Sequence, residues 1–429
     1  MDIKDLHNKF LECNSIVDID SRSIKEGSMF FAIKGDNFDG NQFAQEALNK
    51  GAKFAVVDSN SVDIDNSKIL KVKDSLETLQ KLAKYHRIKT KSIVIALTGS
   101  NGKTTTKELI DCVLSSNFKT ISTKGNYNNH IGVPLSLLQI EDDTEYSVIE
   151  LGANNFGEID FLTKITLPDY GYITNFGKAH LEGFIDIEGV IKAKTELYNW
   201  IIENNKTLIL NFDDKQQKKF RNHKNISFSS EDDGDYKFEL ISGKKISIKN
   251  RDTKYHSNIY GDYNYSNICA AITIGLYFGI DSIKIQDALN SYELQNNRSQ
   301  VLKMNGKEII LDAYNANPTS VSNAIESFSR IKNSKAVVLG DMFELGINSY
   351  DEHKKIVELL SSKNIDSCYF IGEDFFKVKS ANESFYFYRT KKEFYNSDDE
   401  ISELHILIKG SRGMKMEEII KNKLKWKNT

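Results

Sequence analysis

The sequence predicts an α/β protein of three domains. We expect a central parallel sheet with a small antiparallel ribbon, a smaller α/β unit before it and another α/β unit after it. The chain has 429 residues, more than one hydrophobic core usually serves. Short apolar runs alternate with helical patterns, which is typical of parallel sheets covered by helices on both faces. The pattern restarts near Lys89 and near Arg298, so the expected domains are 1–89, 90–297 and 298–429.

The first unit contains two strand-like runs and two helical patterns. The runs Met29–Ile33 and Phe54–Val57 are rich in apolar residues and short enough for buried strands. Apolar residues recur with helical spacing at Asn41–Lys50 and Leu76–Ile88. This alternation predicts a small α/β domain that ends near Lys89.

The central unit opens with the apolar strand Ile93–Leu97 and continues as alternating strands and helices. A polar stretch at 232–260 interrupts this pattern with two short strand-like runs, Lys237–Ile241 and Lys245–Lys249. Ser242-Gly243 stands between them as a turn, so we predict an antiparallel ribbon here.

The third unit repeats the alternation and predicts a Rossmann-like domain. Its predicted elements are the strands Ile309–Leu311, Val337–Leu339 and Ile406–Ile408, helices from Pro318 and near Glu352–Leu360, and a closing helix.

Composition excludes several classes of protein. A net charge of -3 gives no field strong enough to hold nucleic acid. The four cysteines lie far apart without a CxxC pair, which argues against a zinc knuckle or a disulfide framework and fits a reducing compartment. The amino terminus does not resemble a signal peptide, and we find no apolar run of about eighteen residues. We therefore expect a cytoplasmic protein that binds neither nucleic acid nor membrane.

The strongest motif is Thr98-Gly99-Ser100-Asn101-Gly102-Lys103-Thr104-Thr105, directly after the strand Ile93–Leu97. A glycine turn that leads into a helix places backbone N–H groups around phosphate oxygens. Lys103 would add charge and Thr104 a hydroxyl for Mg²⁺. The motif is a shorter variant of the general P-loop, whose first glycine would fall at Leu97. A plain glycine turn beside a surface lysine is the alternative, and the flanking pattern and threonine run favour ATP binding over it.

Two further polar residues follow predicted strands. Glu150 ends the run Tyr146–Ile149, and His180 comes after the run Gly171–Thr174. The carboxyl edge of a parallel sheet is where such folds bind ligands, so Glu150 could face a metal. A solvated loop glutamate is an equal alternative, and His180 alone is just as ambiguous.

Lys194 stands in the apolar stripe of a predicted helix, on one face with Val190, Leu197 and Tyr198. An inward ammonium must pair, lose its charge or be modified. The alternative is a lysine at the edge of the stripe whose ammonium reaches water, which this helix alone would favour.

Together these residues resemble the Mur ligases along the whole chain. The matching residues, in order, are the loop Thr98–Thr105, Glu150, His180, Lys194, Asn264, Asn267, Arg298 and Asp312. The stretches Gly125–Leu135, Asp312–Pro318 and Leu339–Gly346 make the chain most similar to members that add D-alanyl-D-alanine. The third unit lacks the Asp-Asn-Pro-Arg type motif of diaminopimelate-adding relatives, which disfavours that activity.

The resemblance implies an ADP-forming ligase that joins D-alanyl-D-alanine to UDP-N-acetylmuramoyl-tripeptide through an acyl phosphate, in peptidoglycan biosynthesis. The loop and Lys103 would hold the β- and γ-phosphates of ATP. Thr104 and Glu150 would hold one Mg²⁺, with His180 and a carbamylated Lys194 at a second. The remaining nucleotide contacts implied are Asn267 near adenine, Asp312 near the ribose, and Arg298 from the domain junction.

The resemblance also assigns substrate-binding residues. UDP-substrate contacts are expected from Ser21, Arg22, Asn128 and Asn129. A zwitterionic dipeptide needs a carboxylate near its ammonium and a cation near its carboxylate. The acceptor residues expected on this ground are Asp341, Glu344, Lys409 and Arg412.

The chain is expected to act as a monomer. Two alternatives stay open: a Mur-type or folylpolyglutamate-type ligase for another amino acid, or a nucleotide-dependent switch that hydrolyses ATP without ligation.

Overall fold

A computed structural model describes residues 1–60, 67–241, 245–293 and 297–424. The chain forms three α/β units, each built on its own main sheet, together with a three-stranded antiparallel ribbon. The predicted fold class is confirmed.

The first unit is a four-stranded parallel sheet with the order β1-β2-β5-β6. Its elements are α1 (Ile3–Glu12), β1 (Val17–Asp18), β2 (Met29–Phe31), β3 (Lys34–Gly35), β4 (Phe38–Asp39), α2 (Ala44–Asn49), β5 (Phe54–Val57), β6 (Ile69–Lys71) and α3 (Ser75–Lys89). The predicted helix at Asn41–Lys50 begins as a 3-10 turn, Gly40–Phe43, before it becomes α2. Asp74 caps α3, because its carboxylate accepts the Glu77 N–H at 2.7 Å.

The second unit is a seven-stranded parallel sheet with the order β13-β12-β11-β10-β7-β9-β8. Its strands are β7 (Ile93–Thr98), β8 (Thr120–Ser122), β9 (Tyr146–Glu150), β10 (Tyr170–Ile173), β11 (Thr207–Asn211), β12 (Asn225–Ser229) and β13 (Tyr236–Lys237). Its helices are α4 (Lys103–Ser115), α5 (Gly132–Leu137), α6 (Glu158–Thr166), α7 (Leu181–Phe184), α8 (Ile187–Glu203), α9 (Tyr265–Tyr277) and α10 (Ser282–Ser291).

The antiparallel ribbon consists of β14 (Glu239–Ile241), β15 (Ser247–Asn250) and β16 (Thr253–His256). It confirms the ribbon predicted from the polar stretch at 232–260. The turn predicted at Ser242-Gly243 lies outside the described residues.

The third unit is a six-stranded sheet with the order β17-β18-β22-β19-β20-β21, in which only the edge strand β17 is antiparallel to its neighbour. Its strands are β17 (Gln300–Met304), β18 (Lys307–Asp312), β19 (Lys335–Gly340), β20 (Ser367–Ile371), β21 (Phe385–Tyr388) and β22 (His405–Lys409). Its helices are α11 (Pro318–Ser329), α12 (Ser349–Ser361), α13 (Glu373–Lys377), α14 (Lys391–Asn396) and α15 (Glu418–Asn422).

Strand order explains where the predicted site residues gather. In the central sheet β7 lies between β9 and β10, so the loops after these three strands emerge together at the carboxyl edge. In the third sheet β18 pairs with β22, and Asp312 stands opposite Lys409.

Side-chain contacts join the units. Asn317 Nδ2 donates to Asn101 Oδ1 at 2.7 Å, and Lys178 Nζ lies 2.8 Å from a carboxylate oxygen of Glu352. The first unit packs on the second, where the Arg87 guanidinium lies 2.8 Å from Asp169. None of the helices in the described part of the chain has the length and apolar character needed to cross a membrane.

Candidate active site

A cleft of about 340 Å³ lies between the central sheet and the third unit. Several predicted site residues line it: Ser100 to Thr105, Asn128, Asn129, Glu150, His180, Asn267, Arg298, Asp312 and Lys409. Other predicted residues are not part of its lining: Thr98, Gly99, Lys194, Ser21, Arg22, Asp341, Glu344 and Arg412.

The loop between β7 and α4 has the backbone of a phosphate-binding turn. Gly99 and Gly102 have φ values of 145° and 76°, a region that favours glycine. A Cβ atom at Gly99 would stand 1.9 Å from Thr174 Oγ1, so glycine is also required for space. Lys103 Nζ donates to the Gly99 carbonyl at 2.8 Å. Burial, followed by the nearby Arg298 charge, lowers the pKa of Lys103 despite the opposing Glu150 charge.

Glu150 is a buried carboxylate with one free oxygen. Its side chain ends β9 and only 1% of the residue is exposed, so the solvated alternative is wrong. Oε1 accepts a hydrogen bond from Asn128 Nδ2 at 2.7 Å. Oε2 has no hydrogen-bond partner among the described residues. A buried carboxylate oxygen left in this state is costly unless something else binds it.

This geometry fits Mg²⁺. Thr104 lines the same cleft as Glu150, and Mg²⁺ commonly takes one or two protein oxygens, nucleotide phosphates and water. Within the described ranges, no group of three or more His, Cys, Asp or Glu side chains is arranged to hold a metal. A cation in this cleft would therefore need phosphate, hydroxyl or water oxygens besides Glu150.

Lys194 points inward from α8, which is one of the two orientations that the apolar stripe left open. The residue is 0% exposed, so the alternative in which its ammonium reaches water is wrong. Its Nζ lies 3.5 Å from the Ala153 carbonyl oxygen and 5.2 Å from the centre of the Phe184 ring. Burial, followed by the charge of Lys103, lowers the pKa of Lys194 to about 7.

His180 precedes α7 and has a φ of 52°, which is uncommon for a residue with a side chain. Its Nδ1 lies 2.5 Å from Glu344 Oε2 of the third unit. The rings of His180 and Phe184 are 6.3 Å apart, so Phe184 is a common neighbour of His180 and Lys194.

The third unit supplies a charged and aromatic wall of the cleft. The Arg298 guanidinium lies 3.5 Å above the centre of the Tyr314 ring. Asp312 accepts from Lys409 Nζ at 2.5 Å through one oxygen and from the Ser299 N–H at 3.1 Å through the other.

On the central unit, the Asn267 amide bridges two neighbours. It accepts from Thr106 Oγ1 at 3.0 Å and donates to Asn264 Oδ1 at 2.9 Å. Gly102 lies directly against this amide, since a Cβ there would be 2.7 Å from Asn267 Oδ1.

Two tyrosines of the cleft have no role in the sequence-based predictions. Tyr314 carries the Arg298 guanidinium, and the Tyr263 hydroxyl lies 2.7 Å from Ser299 Oγ. Tyr314 stands two residues after Asp312, and Tyr263 stands one residue before Asn264. Their position beside these polar motif residues is the sequence feature that could have identified them as part of the cleft.

The loops that carry the predicted acceptor residues lie side by side, since Ser411 N donates to the Asp341 carbonyl at 3.2 Å. Their side chains have separate partners. Asp341 is buried and accepts the Asp374 and Phe375 N–H groups at the start of α13. Arg412 is exposed and pairs with Glu417 at 2.7 Å. The predicted acceptor role stays a prediction.

The four predicted UDP-substrate residues fall into two places. Arg22 is exposed and pairs with Asp20 at 2.7 Å, next to the buried Ser21. Asn128 and Asn129 lie instead in the cleft with Glu150. Asn129 Oδ1 accepts the N–H of Gly132 at 2.9 Å, at the start of α5. This set also stays a prediction.

Family models match each unit of the chain. They are described as Mur ligase family, catalytic domain, over residues 15–87, Mur ligase middle domain, over residues 97–275, and Mur ligase, glutamate ligase domain, over residues 297–404.

Curated relatives match at full length. The UDP-N-acetylmuramoyl-tripeptide–D-alanyl-D-alanine ligase of Bacillus subtilis is 34% identical over 419 residues, which cover 94% of this chain and 92% of the relative. The Escherichia coli protein with the same name is 30% identical over 428 residues, with 94% and 92% covered.

Solved structures agree with this similarity. MurF from Acinetobacter baumannii superposes with a TM-score of 0.85 at 30% identity, covering 96% of this chain and 93% of that one. MurF ligase from Thermotoga maritima in complex with ADP gives a TM-score of 0.82 at 27% identity, with 96% and 97% covered. Because a relative is 34% identical over 94% of this chain, this chain belongs to the Mur ligase family.

Proposed function

We propose that this chain is an ATP-dependent, ADP-forming ligase that joins D-alanyl-D-alanine to UDP-N-acetylmuramoyl-tripeptide. The product would be the UDP-muramoyl-pentapeptide precursor of peptidoglycan. The observation that carries this proposal is full-length similarity to relatives of that name, combined with a phosphate-binding loop that faces a buried carboxylate across one cleft. An acyl phosphate formed on the terminal carboxylate of the tripeptide would be attacked by the amine of the dipeptide.

In this mechanism the loop and Lys103 bind the β- and γ-phosphates of ATP, and Arg298, Asn267 and Asp312 bind the nucleoside end. The assignment is supported because one cleft is lined by Ser100 to Thr105 of the loop and by Asn267, Arg298 and Asp312. Two anions meet when the phosphoryl group is transferred to a carboxylate, so fixed positive charge is the main contribution required of the protein. Lys103 is placed for this task, because it is held at the start of α4 by the loop carbonyl.

Mg²⁺ would be held by Thr104 and Glu150, with a second ion near His180 and a carbamylated Lys194. When bound, Mg²⁺ would neutralise phosphate charge and polarise the transferred group. The free Oε2 of Glu150 supports the first site. The buried side chain of Lys194 and its lowered pKa support the carbamate, because carbon dioxide adds only to a neutral amine.

Water must be kept from an acyl phosphate until the dipeptide attacks. The third unit covers the loop in this structure, where Asn317 contacts Asn101 and Glu352 contacts Lys178. We propose that 1–89 binds the UDP end of the donor, 90–297 binds ATP, and 298–429 binds the acceptor and closes the cleft.

An assay of ATP-dependent phosphate release tests this function. UDP-muramoyl tripeptides with lysine or diaminopimelate are crossed with D-alanyl-D-alanine, L-alanyl-L-alanine and single amino acids. We expect release only with a tripeptide and the D,D-dipeptide together, and transfer of one oxygen-18 from a labelled donor carboxylate to phosphate. Turnover that is indifferent to dipeptide would indicate a nucleotide switch. Turnover with a single amino acid in place of the dipeptide would indicate another ligase.

A further inference from the structure

The contact between Asn128 and Glu150 leaves the carboxylate with two different oxygens. Oε1 is held by the Asn128 amide at 2.7 Å, and Oε2 is buried without a hydrogen-bond partner among the described residues. The Glu150 backbone N–H is also fixed, because it donates to Thr123 Oγ1 at 3.0 Å. The carboxylate is therefore held by groups outside the glutamate itself, and only Oε1 of its two oxygens is engaged among the described residues.

Gly152 makes room for the Asn128 amide. A Cβ atom at Gly152 would lie 2.7 Å from Asn128 Cγ and Oδ1 and 2.9 Å from its Nδ2. Gly152 has no positive φ, so its backbone conformation does not require glycine. Glycine is required because a side chain would collide with Asn128. The Gly152 N–H also donates to the Asn128 carbonyl at 2.8 Å. The loop after β9 therefore leaves room for the Asn128 side chain and also bonds to its backbone.

The segment that carries Asn128 is fixed from its own side as well. The Asn128 N–H donates to the Asn126 carbonyl at 2.7 Å, and the Asn129 side chain caps the first N–H groups of α5. Gly132 lies against the Tyr127 backbone, where a Cβ would be 2.4 Å from the Tyr127 Cα. Asn128 therefore presents its amide from a turn anchored at both ends.

We propose that Asn128 is a positioning residue for the cation: it holds Oε1 of Glu150 so that Oε2 is presented to Mg²⁺, and Gly152 permits this contact. The inference rests on the proposed function for the identity of the cation and nucleotide. It gives Asn128 a role at the phosphate end of the cleft, in place of a contact with the UDP end of the donor. Groups that orient a metal ligand in this way typically change metal affinity or activity by about 10–100-fold when they are removed.

The test compares Asn128→Ala, Gly152→Ala and the double variant. Gly152→Ala removes no polar group and pushes the Asn128 amide away from Glu150. Calorimetric titration of ADP at a series of Mg²⁺ concentrations gives a readout independent of ligation. We expect the Mg²⁺ concentration for half-maximal ADP binding to rise about 10–100-fold in both single variants. ADP affinity at saturating Mg²⁺ and the KM for the UDP-substrate should stay within about twofold of wild type.

The double variant shows whether the two single substitutions act through the same contact between Asn128 and Glu150 or through two unrelated defects. Without the Asn128 amide, the new Cβ at residue 152 displaces nothing, so the double variant should be no worse than Asn128→Ala alone. Asn155→Ala is the matched control, since it removes an amide that donates to the Glu158 carboxylate at 3.0 Å and should leave the Mg²⁺ dependence unchanged. Thermal unfolding of each variant checks that the fold is intact. If Asn128→Ala does not fold, Gly152→Ala alone decides the outcome.

An unchanged Mg²⁺ dependence in folded Gly152→Ala and Asn128→Ala would overturn the proposal. So would a raised KM for the UDP-substrate with normal Mg²⁺ dependence, because this would place Asn128 on the donor. The proposed function fails separately: a wild-type chain that binds ADP with Mg²⁺ but ligates no dipeptide would refute the ligase activity. A variant shift in Mg²⁺ dependence would still support the role of Asn128.

Discussion

His180 of the central unit and Glu344 of the third unit meet across the domain boundary, with 2.5 Å between Nδ1 and Oε2. The close contact with His180 is the main reason that the pKa of Glu344 lies below its ordinary value. Glu344 has a φ of 62°, a conformation that costs energy for a residue with a side chain. A residue expected at the metal centre is therefore in contact with one expected at the acceptor site, so we expect domain closure to be coupled to the cleft.

Glu344→Gln should slow ligation because it removes the charge that meets His180. We expect kcat to fall about fivefold, in line with a charge-assisted hydrogen bond between partly exposed groups. Steady-state phosphate release measures the effect, and small-angle scattering should show a more open average shape. Glu373→Gln, which removes a carboxylate paired with Arg389 at 2.9 Å on the surface of the same unit, is the control. Equal effects of the two substitutions on kcat and on the average shape would contradict the expected coupling.

Lys103→Ala should abolish ligation without unfolding the protein. Lys103 is only partly exposed, but its ammonium contacts a loop carbonyl, so we expect its loss to act on phosphate charge. A decrease in kcat of at least about 100-fold is expected for the loss of one fixed electrostatic group. Lys164→Ala removes an exposed lysine that pairs with Asp160 and should remain active. Near wild-type turnover of the Lys103 variant would end the phosphate-loop interpretation.

Arg412→Ala should raise the KM for the dipeptide far more than the KM for ATP. The Arg412 guanidinium is exposed, and its ion-pair partner within the described residues is Glu417, so it can exchange that contact for a substrate carboxylate. We expect about a tenfold change from the loss of one charge-assisted contact. If ATP affinity decreased instead and the dipeptide KM stayed constant, the acceptor assignment would be wrong.

Local patterns in the sequence predicted elements well where a strand was strongly apolar or a helix carried a clear signal. The run Ile93–Leu97 became β7, and the proline after Asn317 became the first residue of α11, whose capping box Asn317 and Ser320 complete. The edge strand β17 was missed because the polar residues Gln300 and Lys303 interrupt its apolar residues and one face is exposed.

The sequence predicted which residues belong to the site, but it did not predict which of them contact one another. The position of Lys194 on an apolar helix face indicated that its side chain could be buried. No local pattern could pair Asn128 with Glu150, which meet where neighbouring strands bring their loops to one sheet edge. The contact between His180 and Glu344 was equally hidden, because it forms only where two units pack together. Gly152 illustrates the same limit, since the need for glycine there comes from the side chain of another segment.

The stability of the unmodified protein should depend on Lys194 in a defined pH window. Its pKa is lowered to about 7, first by burial, whereas an unfolded lysine titrates near pH ~10.4. Between these values the unfolded chain binds more protons than the folded one, so the free energy of unfolding should rise with pH, by at most about 1.4 kcal/mol per unit. Below about pH 7 this contribution should be flat. Denaturant unfolding of Lys194→Met at pH 7, 8 and 9, under carbon-dioxide-free buffer, should lack the rise that wild type and Lys192→Met show.

Carbamylation of Lys194 in the active enzyme is expected from the same burial. An unmodified ammonium would lie among Phe184, the Ala153 carbonyl and the charge of Lys103, where desolvation and like charge both oppose it. The neutral amine that results can add carbon dioxide, and the carbamate supplies an anionic oxygen of the kind that Mg²⁺ prefers.

Enzyme prepared with ¹³C-labelled bicarbonate should show a carbamate carbon resonance that is lost in Lys194→Ala. The same variant should lose ligation and recover part of it when short carboxylates such as acetate are added. Lys192→Ala, two positions away on the exposed side of α8, should keep both the resonance and the activity. A wild-type enzyme that ligates at full rate with bicarbonate removed, and without the resonance, would show that Lys194 works unmodified.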